Sequence, residues 1–301
     1  MFTHILCPVD FSEVSTRAVQ YATALAGLNR GALTAFHVAA PLLPPSALEP
    51  SGIDPDGVDE SRRLATDVAA LFEDATRRGL VVDVAVERGQ PAHAILTKAA
   101  TLPADVIVMG THGAGGFEHL MLGSVTEKIV RKATCPVVTV PPQAQLVGEA
   151  PLKKLVCAVD FSEWSLAALD EACAIAEESR GSVTAVHVIE WPWHEQPTPD
   201  FEGIPRAQVA ALLEYRRYQE TMARTRLASA VAEVGRDRCR VDVKVVHGKP
   251  YTEVLCTAER EQADLIVIGV HGRSSLDVFF FGSTTHQVVR RAHCPVLTLR
   301  H

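Results

Sequence analysis

The chain repeats itself, and that repeat restricts the folds open to it more than any other feature. Val106-Ile107-Val108-Met109-Gly110-Thr111-His112-Gly113 leads through nine residues to Gly123-Ser124 and on into Val125-Thr126-Glu127-Lys128-Ile129-Val130. Leu265-Ile266-Val267-Ile268-Gly269-Val270-His271-Gly272 leads through nine residues to Gly282-Ser283, then Thr284-Thr285-His286-Gln287-Val288-Val289. Each copy reads as a buried apolar strand, a glycine-punctuated loop and a helix that opens on a small hydroxyl residue. The register extends beyond the loops. Cys7-Pro8-Val9-Asp10-Phe11-Ser12-Glu13 returns as Cys157-Ala158-Val159-Asp160-Phe161-Ser162-Glu163 at an offset of 150, whereas Gly89/Gly248, Gly110/Gly269 and Cys135/Cys294 stand 159 apart. The second copy therefore carries nine extra residues between its second and third strands, and 301 residues divide into two ordinary domains.

Within each copy, strand and helix alternate. The first half shows strands at 4–9, 32–39, 81–87, from Asp105, and 136–140; the second shows them from Lys154, at 182–189, 240–246, from Asp264, and 295–299. Between them the pattern predicts helices from Ser12 to about Ala26, from Val58 to about Arg78, a longer counterpart from Pro205 to Val234, and short helices from Pro91 and Pro250, where proline suits a first turn. Near-continuous Val/Ile strands mean a parallel sheet covered on both faces. The fold class is α/β, two tandem doubly wound Rossmann-like domains, each with a five-stranded parallel sheet. Right-handed crossovers put the C-terminal ends of strands one and four side by side. The featureless run Pro141–Pro151 reads as a linker, giving domains at 1–142 and 152–301 with 143–151 between them.

The net charge is −7 and no Lys/Arg-rich run occurs, which argues against nucleic acid or anionic membrane as the partner. No apolar run approaches a membrane span, and the chain enters a strand directly after Met1-Phe2-Thr3, so a cytoplasmic location is expected. Seven cysteines, an odd number without Cys-x-x-Cys, read as free buried thiols.

Glycine after an apolar strand permits positive φ and lets backbone amides approach a ligand, and a helix N-terminus offers unpaired N–H groups to phosphate. Neither a P-loop nor a Gly-x-Gly-x-x-Gly fingerprint occurs in either copy. The pattern Gly-x2-Gly-x9-Gly-[Ser/Thr] between strand and helix, followed by Cys135-Pro136-Val137 and again by Cys294-Pro295-Val296, resembles the ATP-binding signature of the universal stress protein family. The resemblance runs through the whole chain as a tandem pair.

The resemblance implies the strand order 3-2-1-4-5, with a nucleotide at the switch point. It implies that Gly110, His112, Gly113, Gly123, Ser124, Val125 and Thr126 surround phosphates, that Pro8 and Asp10 meet adenine or ribose, and that Val38 and Met109 supply backbone contacts and apolar cover. In the second half the same places fall to Gly269, His271, Gly272, Arg273, Gly282, Ser283, Thr284 and Thr285, with Ala158, Asp160, Val188 and Ile268. The expected ligand is ATP, or ADP or AMP in its place, with Mg²⁺ held through the phosphates and no metal held by side chains. The last strands are implied to meet across a pseudo-twofold, so that one chain imitates a dimer; pairing of two such chains stays open.

Structural alternatives stand beside these roles. Ser124-x-x-Glu127 and Thr284-x-x-Gln287 fit capping boxes, Asp10 and Asp160 suit the turn ahead of a helix, and His37 and His187 read as core or sheet-edge residues. His112 and His271, without a second ligand at metal spacing, read as hydrogen-bonding or stacking groups. Trp191 and Trp193 fit an ordered loop or a partner patch, and Phe279-Phe280-Phe281 fits packing under the loop or between the halves. Asp105 and Asp264 begin the fourth strands, roughly 16 Å from the loops at the other end, so no acid pair forms. A nucleotide held this way, without a Walker lysine or a placed base, is a regulatory ligand hydrolysed slowly at most. A slow ATPase or nucleotidyl-transfer enzyme, and a nucleotide-free scaffold, are the alternatives.

Overall fold

The fourth strand of each half is apolar along its whole length, and a strand of that kind is stable only with cover on both faces. The computed structural model describes residues 2–41, 58–113, 122–144, 152–190, 206–234, 238–270 and 282–300. Its first half runs β1 (His4–Val9), α1 (Glu13–Asn29), β2 (Ala32–Ala39), α2 (Val58–Leu71), α3 (Glu73–Arg77), β3 (Val82–Arg88), α4 (Pro91–Thr101), β4 (Val106–Gly110), α5 (Ser124–Lys132), β5 (Val137–Val140). The second half runs β6 (Lys154–Ala158), α6 (Glu163–Ser179), β7 (Ser182–Ile189), α7 (Arg206–Val234), β8 (Arg240–His247), α8 (Pro250–Glu261), β9 (Leu265–Gly269), α9 (Ser283–Arg291), β10 (Val296–Leu299).

All these strands lie in one ten-stranded sheet ordered β3-β2-β1-β4-β5-β10-β9-β6-β7-β8. Each half is parallel and follows the order 3-2-1-4-5. The halves join where β5 and β10 pair antiparallel, Val296 opposite Thr139, Leu297 opposite Val138 and Thr298 opposite Val137. Two hydroxyls cross this seam: Thr139 Oγ1 donates to the Val296 carbonyl (3.3 Å) and Thr298 Oγ1 to the Val137 carbonyl (3.1 Å). One apolar cluster runs under both halves, from Ile5, Leu25 and Val108 to Leu169, Val267 and Leu297.

Local structure departs from the sequence reading in identifiable ways. Helices α1 and α6 run on to Asn29 and Ser179, because the left-handed residues that end them are Arg30 (φ 53°) and Arg180 (φ 52°). The helix expected over 58–78 breaks into α2 and α3 at Phe72, whose ring is fully buried. The cysteines are free; Cys7, Cys157 and Cys173 are buried, whereas Cys135 and Cys294 are only partly so. Burial pushes the Cys7 and Cys157 thiols far up and that of Cys173 up to about 12, which suits inert packing groups. The first residues of the expected linker carry the buried Ala144, whose carbonyl accepts from Arg17 Nη1 (3.4 Å). Residues 145–151, Trp191, Trp193 and Phe279–Phe281 lie outside the described residues.

Candidate functional site

In each half the first strand has the second on one side and the fourth on the other, so the connections leaving β1 and β4 run to opposite faces and open a crevice at their tips. In the first half this crevice is a cavity of about 610 Å³. Pro8, Asp10, Val38, Met109, Gly110, His112, Gly113, Gly123, Ser124, Val125 and Thr126 all line it. The matching crevice of the second half, about 740 Å³, is lined by Ala158, Asp160, Val188, Ile268, Gly269, Gly282, Ser283, Thr284 and Thr285. His271, Gly272 and Arg273 lie outside the described residues. Both volumes fall in the range of small-molecule sites.

Asp10 follows the tip of β1, lines the cavity and sits in the turn ahead of α1. Its Oδ1 accepts from the Ser12 amide (3.1 Å) and from Ser12 Oγ (2.6 Å), and Ser12 Oγ in turn accepts from the Ser15 amide (3.1 Å), capping α1. Asp160, Ser162 and Ser165 repeat this at 2.9, 2.6 and 3.2 Å. The carboxylate is thus fixed by a turn of its own making while it faces the cavity. Its second oxygen lies against Gly113: a Cβ there would stand 2.6 Å from Asp10 Oδ2.

The positive φ expected of the strand-end glycines is not found. Gly110, Gly113, Gly123 and Gly269 do not have positive φ. At Gly110 a Cβ would meet Val14 Cγ1 at 2.8 Å, and at Gly269 one would meet Trp164 backbone carbon at 3.0 Å. The missing side chain lets the first turns of α1 and α6 pack directly on the ends of β4 and β9.

The capping boxes are not formed. Gly123 (φ −60°, ψ 139°) and Gly282 (φ −57°, ψ 134°) are the N-caps, so Ser124 and Ser283 are the first helical residues and Glu127 stands one place too far along to reach back. The third helical residue carries the anchoring hydroxyl instead: Thr126 Oγ1 donates to the Gly110 carbonyl (2.9 Å) and Thr285 Oγ1 to the Gly269 carbonyl (2.7 Å). Each threonine ties the helix start to the strand tip and is itself buried. No cap side chain accepts from the first-turn amides of α5 or α9, which leaves them facing the cavities with the positive end of the helix dipole.

Asp105 and Asp264 sit at the other end of the sheet, as expected. Asp105 Oδ2 accepts from the Thr3 amide (2.5 Å), Thr3 Oγ1 (2.6 Å) and the His4 amide (2.8 Å). Partial burial pushes that carboxyl up, but these donors outweigh it and hold it below the usual carboxylate range. Asp264 Oδ2 accepts from the Lys153 and Lys154 amides (2.7 and 2.9 Å).

Sequence reasoning missed three parts of the crevices. Helices α4 and α8 supply apolar cover through Pro91 and Ile95, and through Pro250 and Val254. His187 and Phe161 line the second cavity, and Nδ1 of His37 and of His187 donates to the carbonyl of Val9 (2.8 Å) or Val159 (2.7 Å), which fixes the proton on Nδ1 because a carbonyl can only accept. Each ring stacks on a phenylalanine, Phe11 at 4.8 Å and Phe161 at 4.4 Å. Those phenylalanines hold left-handed backbone (φ 63° and 66°), an uncommon state for a bulky residue and one associated with functional loops. The third part is a face of α7, whose Gln219, Met222, Ala223 and Arg226 line the second cavity.

Comparison with known proteins follows the same division. The model of the universal stress protein family matches residues 1–141 and again 151–300. A universal stress protein of Mycolicibacterium smegmatis is 27% identical over 304 residues, covering 98% of this chain and 96% of its own. Another from Methanocaldococcus jannaschii is 30% identical over 153 residues, 51% of this chain and 85% of its own. Among solved structures, a universal stress protein from Archaeoglobus fulgidus superimposes with a TM-score of 0.68 at 21% identity, covering 99% of this chain and 98% of that one. At that identity the superposition speaks for the fold.

Proposed function

The chain belongs to the universal stress protein family, and from that premise we propose that it binds ATP as a regulatory ligand in each half, with ADP or AMP able to take its place. The observation that carries this reading is the paired arrangement at the two switch points. A cavity of nucleotide-compatible size is bounded on one side by a helix start whose cap offers no side-chain acceptor, and on the other by a fixed carboxylate and a hydrophobic wall. Phosphates suit the first boundary, since amide donors and helix dipole both favour anions there. A ribose hydroxyl suits Asp10 or Asp160, and a base suits Val38 and Met109 or Val188 and Ile268. Mg²⁺ would be held through the phosphates; among the described residues no group of three metal-ligating side chains gathers.

Regulation rather than turnover follows from the chemistry of the lining. Asp10 and Asp160 are engaged by Ser12 and Ser162, and the acids that begin the fourth strands are held at the far end of the sheet. Phosphoryl transfer needs cations and a positioned nucleophile as well as a phosphate cradle. We place the protein in the cytoplasm, with the halves acting as an intramolecular pseudo-dimer through the β5–β10 seam and with domain limits near 142 and 152. No helix among the described residues is long and apolar enough to cross a membrane.

Titration calorimetry of the full chain with ATP and Mg²⁺ tests this, alongside identification of any nucleotide that co-purifies. The expected result is saturable binding of up to two nucleotides per chain, with phosphate release no faster than background over the same period. Absence of binding at millimolar ATP would refute the proposal. Rapid phosphate release would replace it with the ATPase reading.

A further inference from the structure

The two cavities are alike on one wall and different on the other. Helices α4 and α5 close the first as α8 and α9 close the second. On the opposite side, among the described residues, the helix after the second strand contributes only in the second half. Leu227 and Val231 of α7 are buried where Val68 and Phe72 are buried 159 residues earlier, which sets the correspondence between the two helices. By that register Arg226 stands where the first half has Asp67, and Gln219 where it has Glu60, whose carboxylate is taken by Arg88 Nη2 (2.6 Å). At the offset of 150, Glu190 at the end of β7 replaces Ala40.

Helices α2 and α7 meet the strand tips at the same level, Glu60 beside Arg88 at 2.6 Å and Glu220 beside His247 at 3.7 Å, so the walls differ in their side chains. Helix α7 packs on the sheet through Leu227, Ala230 and Val231. The face at 219, 222, 223 and 226, spaced as one side of a helix, then looks across the cavity towards α8 and α9.

The groups on that face are held in place. The Arg226 guanidinium lies over the Phe161 ring at 4.3 Å, and Phe161 is fixed in turn by its left-handed backbone and by His187 behind it. A stacked guanidinium keeps its planar fork of donors free for hydrogen bonding. Gln219 Nε2 donates to the Tyr215 hydroxyl (2.8 Å), which leaves the amide oxygen as an acceptor towards the cavity it lines. Glu190 adds a second acceptor on the same rim. A fork of donors beside amide and carboxylate acceptors is a set that can pair with both N7 and the six-position group of a purine, and a pyrimidine, which has an exocyclic group but no N7 beside it, leaves part of that set unpaired.

We propose that the second cavity selects purine nucleotides through Arg226 and Gln219, as specificity-determining residues on α7, while the first cavity discriminates weakly among bases. The inference rests on the nucleotide reading above and deepens it for one site. Polar sites reject a ligand that leaves their groups unpaired far more strongly than apolar walls reject a near-isostere. At a partly exposed wall the purine preference is expected to be on the order of 100-fold, against about 10-fold or less in the first cavity.

Each cavity can be read alone by filling the other at a wall position. Val38→Trp occupies the first, Val188→Trp the second, with circular dichroism confirming that each variant is folded. Calorimetry with ATP and CTP, which carry the same phosphates, gives the base preference of each cavity. The expected result is a large ATP-over-CTP ratio in Val38→Trp and a small one in Val188→Trp. Adding Arg226→Ala and Gln219→Ala to Val38→Trp should bring its ratio down to that of the first cavity. Equal ratios in the two single-cavity proteins, or a ratio untouched by loss of Arg226 and Gln219, would overturn the assignment and leave nucleotide binding standing. Heat from neither cavity with either nucleotide would overturn both. Should a tryptophan variant fail to fold, crystals of the unaltered chain grown with equal ATP and CTP answer the same question, because the base in each cavity is visible directly. Purine in the second with a mixture in the first supports the proposal, and the same mixture in both refutes it.

Discussion

Gly110 and Gly113 look interchangeable in the sequence, yet a methyl group added to one meets Val14 of α1 and to the other the Asp10 carboxylate that lines the cavity. At Gly110 the new Cβ would stand 2.8 Å from Val14 Cγ1 and 3.2 Å from the Val14 backbone carbon, so α1 must shift on β4. Overpacking of this kind costs about 1–3 kcal/mol, and Gly110→Ala should lower the midpoint of urea unfolding without a selective effect on nucleotide affinity. At Gly113 the obstacle is Asp10 Oδ2, 2.6 Å away, on a side-chain carboxylate whose other oxygen is held by Ser12. Gly113→Ala should therefore turn Asp10 aside and weaken binding in the first cavity by about 10-fold or more, while unfolding moves by less than about 1 kcal/mol. Two calorimetric titrations and two urea curves decide the matter. Equal effects on stability and affinity at both positions would mean that the glycines do not divide the labour in this way. Such a division is invisible in the sequence because it depends on what lies opposite each Cα, and only the packing of α1 supplies that.

At the scale of elements, the duplicated register carried most of the fold. The crevice at the tips of β1 and β4 was legible from the repeated spacing, since a parallel doubly wound sheet leaves few other places for a glycine loop between strand and helix, while the strand order came from the family resemblance. What was not legible was the start of α5 and α9. Ser-x-x-Glu fits a capping box only if serine is the cap, and the extended backbone of Gly123 moves the whole frame by one residue. Thr126 and Thr285 then become the anchoring groups, with buried hydroxyls donating to the carbonyls that end β4 and β9. Thr126→Val removes the donor and leaves a buried carbonyl unmatched, at a cost of about 1–3 kcal/mol. Thr126→Ser, which keeps the donor, should recover most of it. If valine at 126 proved as stable as threonine in chemical unfolding, the strand-to-helix tie would have no energetic weight. The α7 face was hidden for a further reason: periodicity shows that a helix has faces, but which face overhangs a cavity depends on where its buried end meets the sheet.

The whole molecule differs from two beads on a string because β5 and β10 close each other's exposed edges. An unpaired parallel edge invites association, and the antiparallel seam removes it from both halves at once. The apolar cluster beneath continues from Ile5 to Leu297, so the energy that holds one half ordered is shared with the other. Such sharing predicts a single cooperative transition in urea, followed equally by far-UV circular dichroism and by the fluorescence of the three tryptophans, Trp164, Trp191 and Trp193, all of which lie in the second half of the sequence. Thr298→Pro sets the coupling against this expectation. Proline at the seam abolishes the side-chain bond to the Val137 carbonyl and cannot donate from its nitrogen, while the parallel ladders inside each half are left mostly intact. The variant should unfold in two steps, with the tryptophan signal following only the later or the earlier of them. A single transition that merely moves to lower urea would show that the halves are bound through the shared core rather than through the strand pair. Two transitions in the unaltered chain would show that each half is stable by itself, and that the seam joins them without making them one folding unit.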